Sequence, residues 1–165
     1  MTTLETEQDR INQRQVIDRV IRECWAGKRM AIGTHTFAKV DYLVSDLSGE
    51  LQCMVDVKCR TQTRMRLEPF GIVERASKIP EYKKIEDYFK VSVFYIYRFA
   101  CGELWVSRIT DHIDLPQEPC PQRRDGRNHS TDNYMAVTLR FGEHLHKILD
   151  APSSMSRLGV NSIHE

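Results

Sequence analysis

Residues 39–59 read KVDYLVSDLSGELQCMVDVKC. On either side of the turn-forming tract Ser45-Asp46-Leu47-Ser48-Gly49, apolar and polar side chains alternate with period two, as in two strands joined by a hairpin. Centring the turn between Ser48 and Gly49 puts Asp41 across from Asp56 and Lys39 across from Lys58, all on one face. Leu51, Cys53, Val55 and Val57 then occupy the opposite, core-facing side of the second strand. Loops of two or four residues keep this pairing, whereas three or five slip it by one residue.

Carboxylates directly opposed on neighbouring strands lie about 4.5–5.5 Å apart at Cβ and repel. The repulsion has two remedies. One is a solvated sheet face on which lysines form cross-strand ion pairs with the acids. The other is a hard divalent cation such as Mg²⁺ or Mn²⁺, which takes oxygen ligands from one or two carboxylates and keeps positions for water and phosphate. In the second case Lys58, two residues beyond Asp56, points its ammonium at the same place, where it would orient a water or offset charge on phosphorus. That chemistry is phosphodiester hydrolysis.

Working outward, Ile17, Val20, Ile21 and Cys24 recur at helical spacing behind a Thr6/Asp9 capping box, and Gly27 offers a stop. Strand-like segments follow at Met30–Thr34, Ala38–Ser45 and Glu50–Cys59. Residues 60–77 show no steady period and are expected to form a long loop. Pro80 suits the first turn of a helix with Tyr82, Ile85 and Phe89 on its apolar side. Val91–Phe99 is β-branched and aromatic like a buried central strand, and Gly102 turns it towards a partner at Leu104–Ile109. Beyond that, Tyr134–Phe141 suggests a strand and Gly142–Leu149 a short helix. The expected fold is α/β, a single domain with a mixed, mostly antiparallel sheet flanked by helices. Its core spans about residues 6–109, and 110–165 form a C-terminal extension.

With its order α-β-β-β-α-β and the residues Val40-Asp41 and Asp56-Val57-Lys58, the chain resembles the PD-(D/E)xK nuclease superfamily, whose phage and Holliday-junction-resolvase-like members are compact. Val stands where the family's motif has Pro. The resemblance implies a restriction-endonuclease-like core in which Asp41, Asp56 and the backbone carbonyl of Val57 hold the metal and Lys58 is the catalytic lysine. It further implies a first-helix glutamate, for which Glu7 is the candidate, its other role being a negative charge at the helix N-terminus. A lysine early in the second helix would be Lys78 or Lys83, unless both simply face solvent.

Composition narrows the partners. The chain has 165 residues, 41% hydrophobic and 28% charged, enough for one domain with one core. Its formal charge is only +1, so affinity for nucleic acid must come from clustering. Lys58 to Arg98 contain ten Lys or Arg against five Asp or Glu. Arg60, Arg64 and Arg66 leave the presumptive catalytic strand, and Arg123, Arg124 and Arg127 surround an Asp-Gly turn; either group would grip DNA phosphates. Five cysteines without a CxxC pair argue for reduced thiols rather than a zinc ribbon or disulfide framework. No apolar run approaches the roughly 18 residues of a membrane helix, and the polar N-terminus lacks a signal-peptide core. No Walker loop or dinucleotide fingerprint occurs. His144 and His146 are expected to diverge on a helix, and His35 lies between the first strands. The expectation is a cytoplasmic Mg²⁺-dependent DNA nuclease for recombination, repair or phage DNA processing, with a virus-encoded role the first guess, able to form a homodimer. An inactive nucleic-acid-binding or protein-interaction module on the same fold is the alternative.

Overall fold

The computed structural model describes residues 6–32, 40–120 and 134–152. The chain opens with helix α1 (Glu7–Glu23), whose N-terminus is closed by the Thr6/Asp9 capping box. Each partner satisfies a backbone donor that the first helical turn would otherwise leave bare. Val16, Ile17 and Val20 are buried on one stripe. Cys24 caps the helix at its C-terminal end and is exposed, so it falls outside the apolar set that its spacing suggested.

Three strands follow, β1 (Arg29–Ile32), β2 (Tyr42–Ser45) and β3 (Leu51–Cys59), then a single turn of helix, α2 (Arg64–Leu67), and β4 (Ile72–Arg75). Helix α3 (Lys78–Phe89) leads into β5 (Ser92–Arg98) and β6 (Leu104–Ser107), with a 3-10 turn at Ile109–His112. The remaining described strands are β7 (Glu118–Cys120), β8 (Tyr134–Leu139) and β9 (His146–Leu149). The main sheet has the order β1-β2-β3-β5-β6-β9 and a smaller one the order β4-β8-β7. Among the described strands β3 and β5 pair in parallel and the other pairings are antiparallel. The architecture is therefore α/β with a mixed, mostly antiparallel sheet, and strands beyond residue 109 extend it.

Two cores sandwich the main sheet. On one face α1 packs Val16, Ile17 and Val20 against Tyr42, Val44, Val55, Val57, Ile96 and Leu104. On the other, α3 and the small sheet bring Ile72, Ile79, Tyr82, Val137 and Leu139 over Met54, Val93, Tyr95 and Tyr97. At roughly 25 cal/mol per Å² of apolar surface removed from water, both layers contribute strongly to stability.

Three expectations need correction. The stretch 60–77 is no plain loop, because β4 within it pairs with β8 more than 60 residues later along the chain. Gly71, at φ +74°, makes this possible: a Cβ there would sit 2.6 Å from the Leu139 carbonyl oxygen. Gly142–Leu149 forms a turn and β9 rather than a helix, since edge pairing with β6 satisfies its backbone. Finally, the side of β3 that carries Asp56 is covered by α3 and is not a solvated sheet face; Asp56 is only 5% exposed.

Candidate active site

The hairpin keeps the expected register by an indirect route. Ser45 pairs with Leu51, which implies a five-residue loop and a slipped ladder, but an irregularity between Val44 and Ser45 takes up one residue. From there Val44 faces Cys53, Leu43 faces Met54 and Tyr42 faces Val55. The next step brings Asp41 to Asp56. Within the loop, the Asp46 carboxylate accepts hydrogen bonds from the Ser48 amide and hydroxyl and from the Glu50 amide, holding the turn closed.

Asp41 and Asp56 are in hydrogen-bonding contact through their carboxyl groups. The Asp41 carboxylate also accepts the Val57 amide proton at 2.7 Å, tying it to the backbone of β3. Burial and the Asp56 charge push the Asp41 carboxyl up to about 7, against the pull of the Val57 amide and of Lys58. Asp56 is held from two sides: the Tyr82 hydroxyl donates to its Oδ2 at 2.5 Å, and Lys58 Nζ lies 3.5 Å from its Oδ1. Lys58 Nζ is 5.6 Å from the centre of the Tyr95 ring, and its side chain remains one-third exposed. Burial and the neighbouring Asp56 raise both Tyr82 and Tyr95 far above the usual phenol range, so both stay neutral and Tyr82 keeps the proton that it donates to Asp56.

Asp41, Asp56 and Lys58 line one cleft of about 310 Å³ with Asp9, Gln13, Val57, Cys59 and Arg60. From α1 the cleft therefore receives Asp9 and Gln13, one helical turn apart, and Glu7 is not among its lining residues. Asp9 carries the capping box, so its signal in the sequence was a helix start. Tyr82 was recognised there only as an apolar contact, and nothing in a local window shows that its hydroxyl reaches an acid 26 residues away.

The predicted cations divide. Arg60 pairs with Glu74 at 3.0 Å, which also accepts the Tyr97 hydroxyl. Arg64 is held by Glu103 and Glu68 and lies over Trp105. Arg66 is exposed and makes no ion pair among the described residues. Lys78 Nζ lies 5.6 Å from the centre of the Tyr82 ring and is not in the cleft lining, whereas Lys83 pairs with Asp87 on the solvent side of α3. His35, Lys39, Arg123, Arg124 and Arg127 lie outside the described residues.

The fold is similar to a solved structure. It is that of a Holliday junction resolvase from the archaeal hyperthermophile Archaeoglobus fulgidus, at a TM-score of 0.43 and 10% sequence identity, covering 74% of this chain and 86% of that one. No family model and no curated protein sequence matches the chain.

The donor set suits a hard cation. Among the described residues no cluster of three or more His, Cys, Asp or Glu side chains is placed to hold a metal, but Mg²⁺ does not need one. Two carboxylates, a backbone carbonyl and water suffice for it, the remaining positions going to substrate phosphate. Among the described residues no helix is long and apolar enough to cross a membrane.

Proposed function

We propose that the chain is a divalent-metal-dependent DNA nuclease hydrolysing phosphodiester bonds. One observation carries this reading: two acids from opposite arms of a hairpin adjoin each other on the wall of a polar cleft, with a lysine 3.5 Å from one of them. Burying two like charges together costs stability, and a fold gains nothing from it unless a proton or a cation intervenes. In this reading Asp41, Asp56 and the Val57 carbonyl hold Mg²⁺ or Mn²⁺. Bound there, the cation would make water more acidic and neutralise a phosphate oxygen. Lys58, still partly open to solvent, positions the attacking water or offsets charge on the phosphate. Tyr82 fixes the rotamer of Asp56 by occupying one of its oxygens, leaving the other directed to Lys58.

A domain this small offers little surface for reading long sequences, so substrate choice falls to DNA shape. Branched or otherwise distorted duplexes in recombination, repair or phage DNA processing are the class expected, and a homodimer would present two such clefts to two strands. The test is incubation of the wild type with Mn²⁺ and labelled linear, nicked, flapped and four-way substrates, alongside Asp56→Asn and Lys58→Ala. Cutting by the wild type alone supports the proposal. A salt-sensitive shift of the same DNAs with no cutting by any form would replace it with the binding-module reading.

A further inference from the structure

The parallel pair β3–β5 ends in a second cleft. The Arg60 amide donates to the Arg98 carbonyl at 2.7 Å, extending the β3–β5 ladder past Cys59 and Arg98 and bringing two arginines to its C-terminal end, their side chains on opposite faces. In open α/β sheets this end of a parallel pair is where ligands settle. Arg98 and Arg60, joined by Arg19 and Gln15 from α1, line a cleft of about 330 Å³ whose lining includes no acidic side chain. Its guanidinium groups differ in their commitments. Arg19 is anchored on Glu23 and on the Gly102 and Asp150 carbonyls. Arg60 turns its guanidinium to Glu74 and the Tyr97 ring, on the α3 side of the sheet. Arg98 makes no ion pair among the described residues. Arg98 thus adds a charge beside the Arg19 guanidinium with no carboxylate in the cleft lining to offset it, and an anion would do so.

Arg60 also lines the cleft of Asp41 and Asp56. A ligand reaching from one cleft to the other must therefore carry anionic groups in series, which a nucleic-acid strand does and a single small phosphate does not. We propose that the Arg98 cleft is a phosphate subsite, holding a backbone phosphate of the strand adjacent to the one presented at Asp41 and Asp56. It rests on the nuclease reading and assigns Arg98 and Gln15 to substrate positioning.

The test is fluorescence anisotropy of a short labelled DNA duplex with the full chain in EDTA, over a series of salt concentrations. Arg98→Ala is expected to weaken binding by about tenfold and to lower the slope of log affinity against log salt by about one, with Arg98→Lys in between. Gln15 is exposed on α1, so Gln15→Glu tests the site without touching the core, and it should weaken binding while Gln15→Lys strengthens it. Identical affinity and slope for wild type, Arg98→Ala and Gln15→Glu overturns the subsite. So does inorganic phosphate that raises the Tm of the wild type but not of Arg98→Ala while their DNA affinities coincide, because the cleft would then take a free anion. Cleavage in Mn²⁺ is measured on the same samples. Normal cutting with unchanged binding by Arg98→Ala defeats the subsite and spares the nuclease. Weakened binding by Arg98→Ala with no cutting by the wild type defeats the nuclease and leaves a DNA-backbone subsite.

Discussion

Asp41 sets how the metal-free protein responds to pH. Its carboxyl is pushed from an ordinary value of 3.8 up to about 7 by burial and by Asp56. Between those limits the folded chain holds a proton that the unfolded chain has released. This contribution to stability without metal is therefore full only below about pH 4 and is lost as pH rises to about 7, on the order of 4 kcal/mol in all and about 3 kcal/mol of it above pH 5. Urea titrations at pH 5 and pH 8 in EDTA check this, and Asp41→Asn should flatten the dependence. Asp56→Asn should abolish cleavage yet, in chelator at pH 8, melt no lower than the wild type, since it removes one of two opposed charges and can still accept from Tyr82. A large loss of Tm would make Asp56 a structural ion-pair partner instead. Tyr82→Phe should cost about 1–2 kcal/mol in urea unfolding and slow single-turnover cleavage while leaving DNA affinity unchanged. The opposed acids were legible from the hairpin's alternation alone. Tyr82's part was not, because an α3 side chain meets a β3 acid only after the two layers pack.

The hairpin shows how elements correct one another. A five-residue loop by itself would turn Asp41 away from Asp56, and one irregular step in β2 brings it back. Turn residues in a sequence reveal that a reversal occurs but not how its last pair closes, so the register was predicted correctly on an incomplete account of the loop. α1 was readable to its capping box because local hydrogen bonds define helix ends. β4 and β9 were not, because four-residue strands are stabilised by partners distant in the chain and carry little pattern of their own. Gly71→Ala tests the β4–β8 contact. It forces a left-handed backbone position and a clash with the Leu139 carbonyl, and urea denaturation should show a loss of about 1–3 kcal/mol.

Across the whole molecule, the basic excess between Lys58 and Arg98 splits into structural and available charge. Arg64, pinned between two glutamates and above Trp105, should on replacement by Ala lower Tm while barely changing the salt dependence of DNA binding. Arg66→Ala should reduce that dependence and leave Tm unaltered; anisotropy and melting on the same variants separate the two. Mg²⁺ or Mn²⁺ should raise the Tm of the wild type more than that of Asp56→Asn, and equal shifts would remove the metal from this cleft. Charge content, helix caps and the two-residue alternation of the hairpin were determined by the sequence alone, because each depends on neighbours a few bonds away. The tertiary structure decided that the acidic face is buried, that Tyr82 braces it, that Asp9 and Gln13 rather than Glu7 reach the cleft, and that Arg60 borders both this cleft and that of Arg98. Those outcomes depend on which layer covers which face, and that is settled only when both sides of the sheet expel water together.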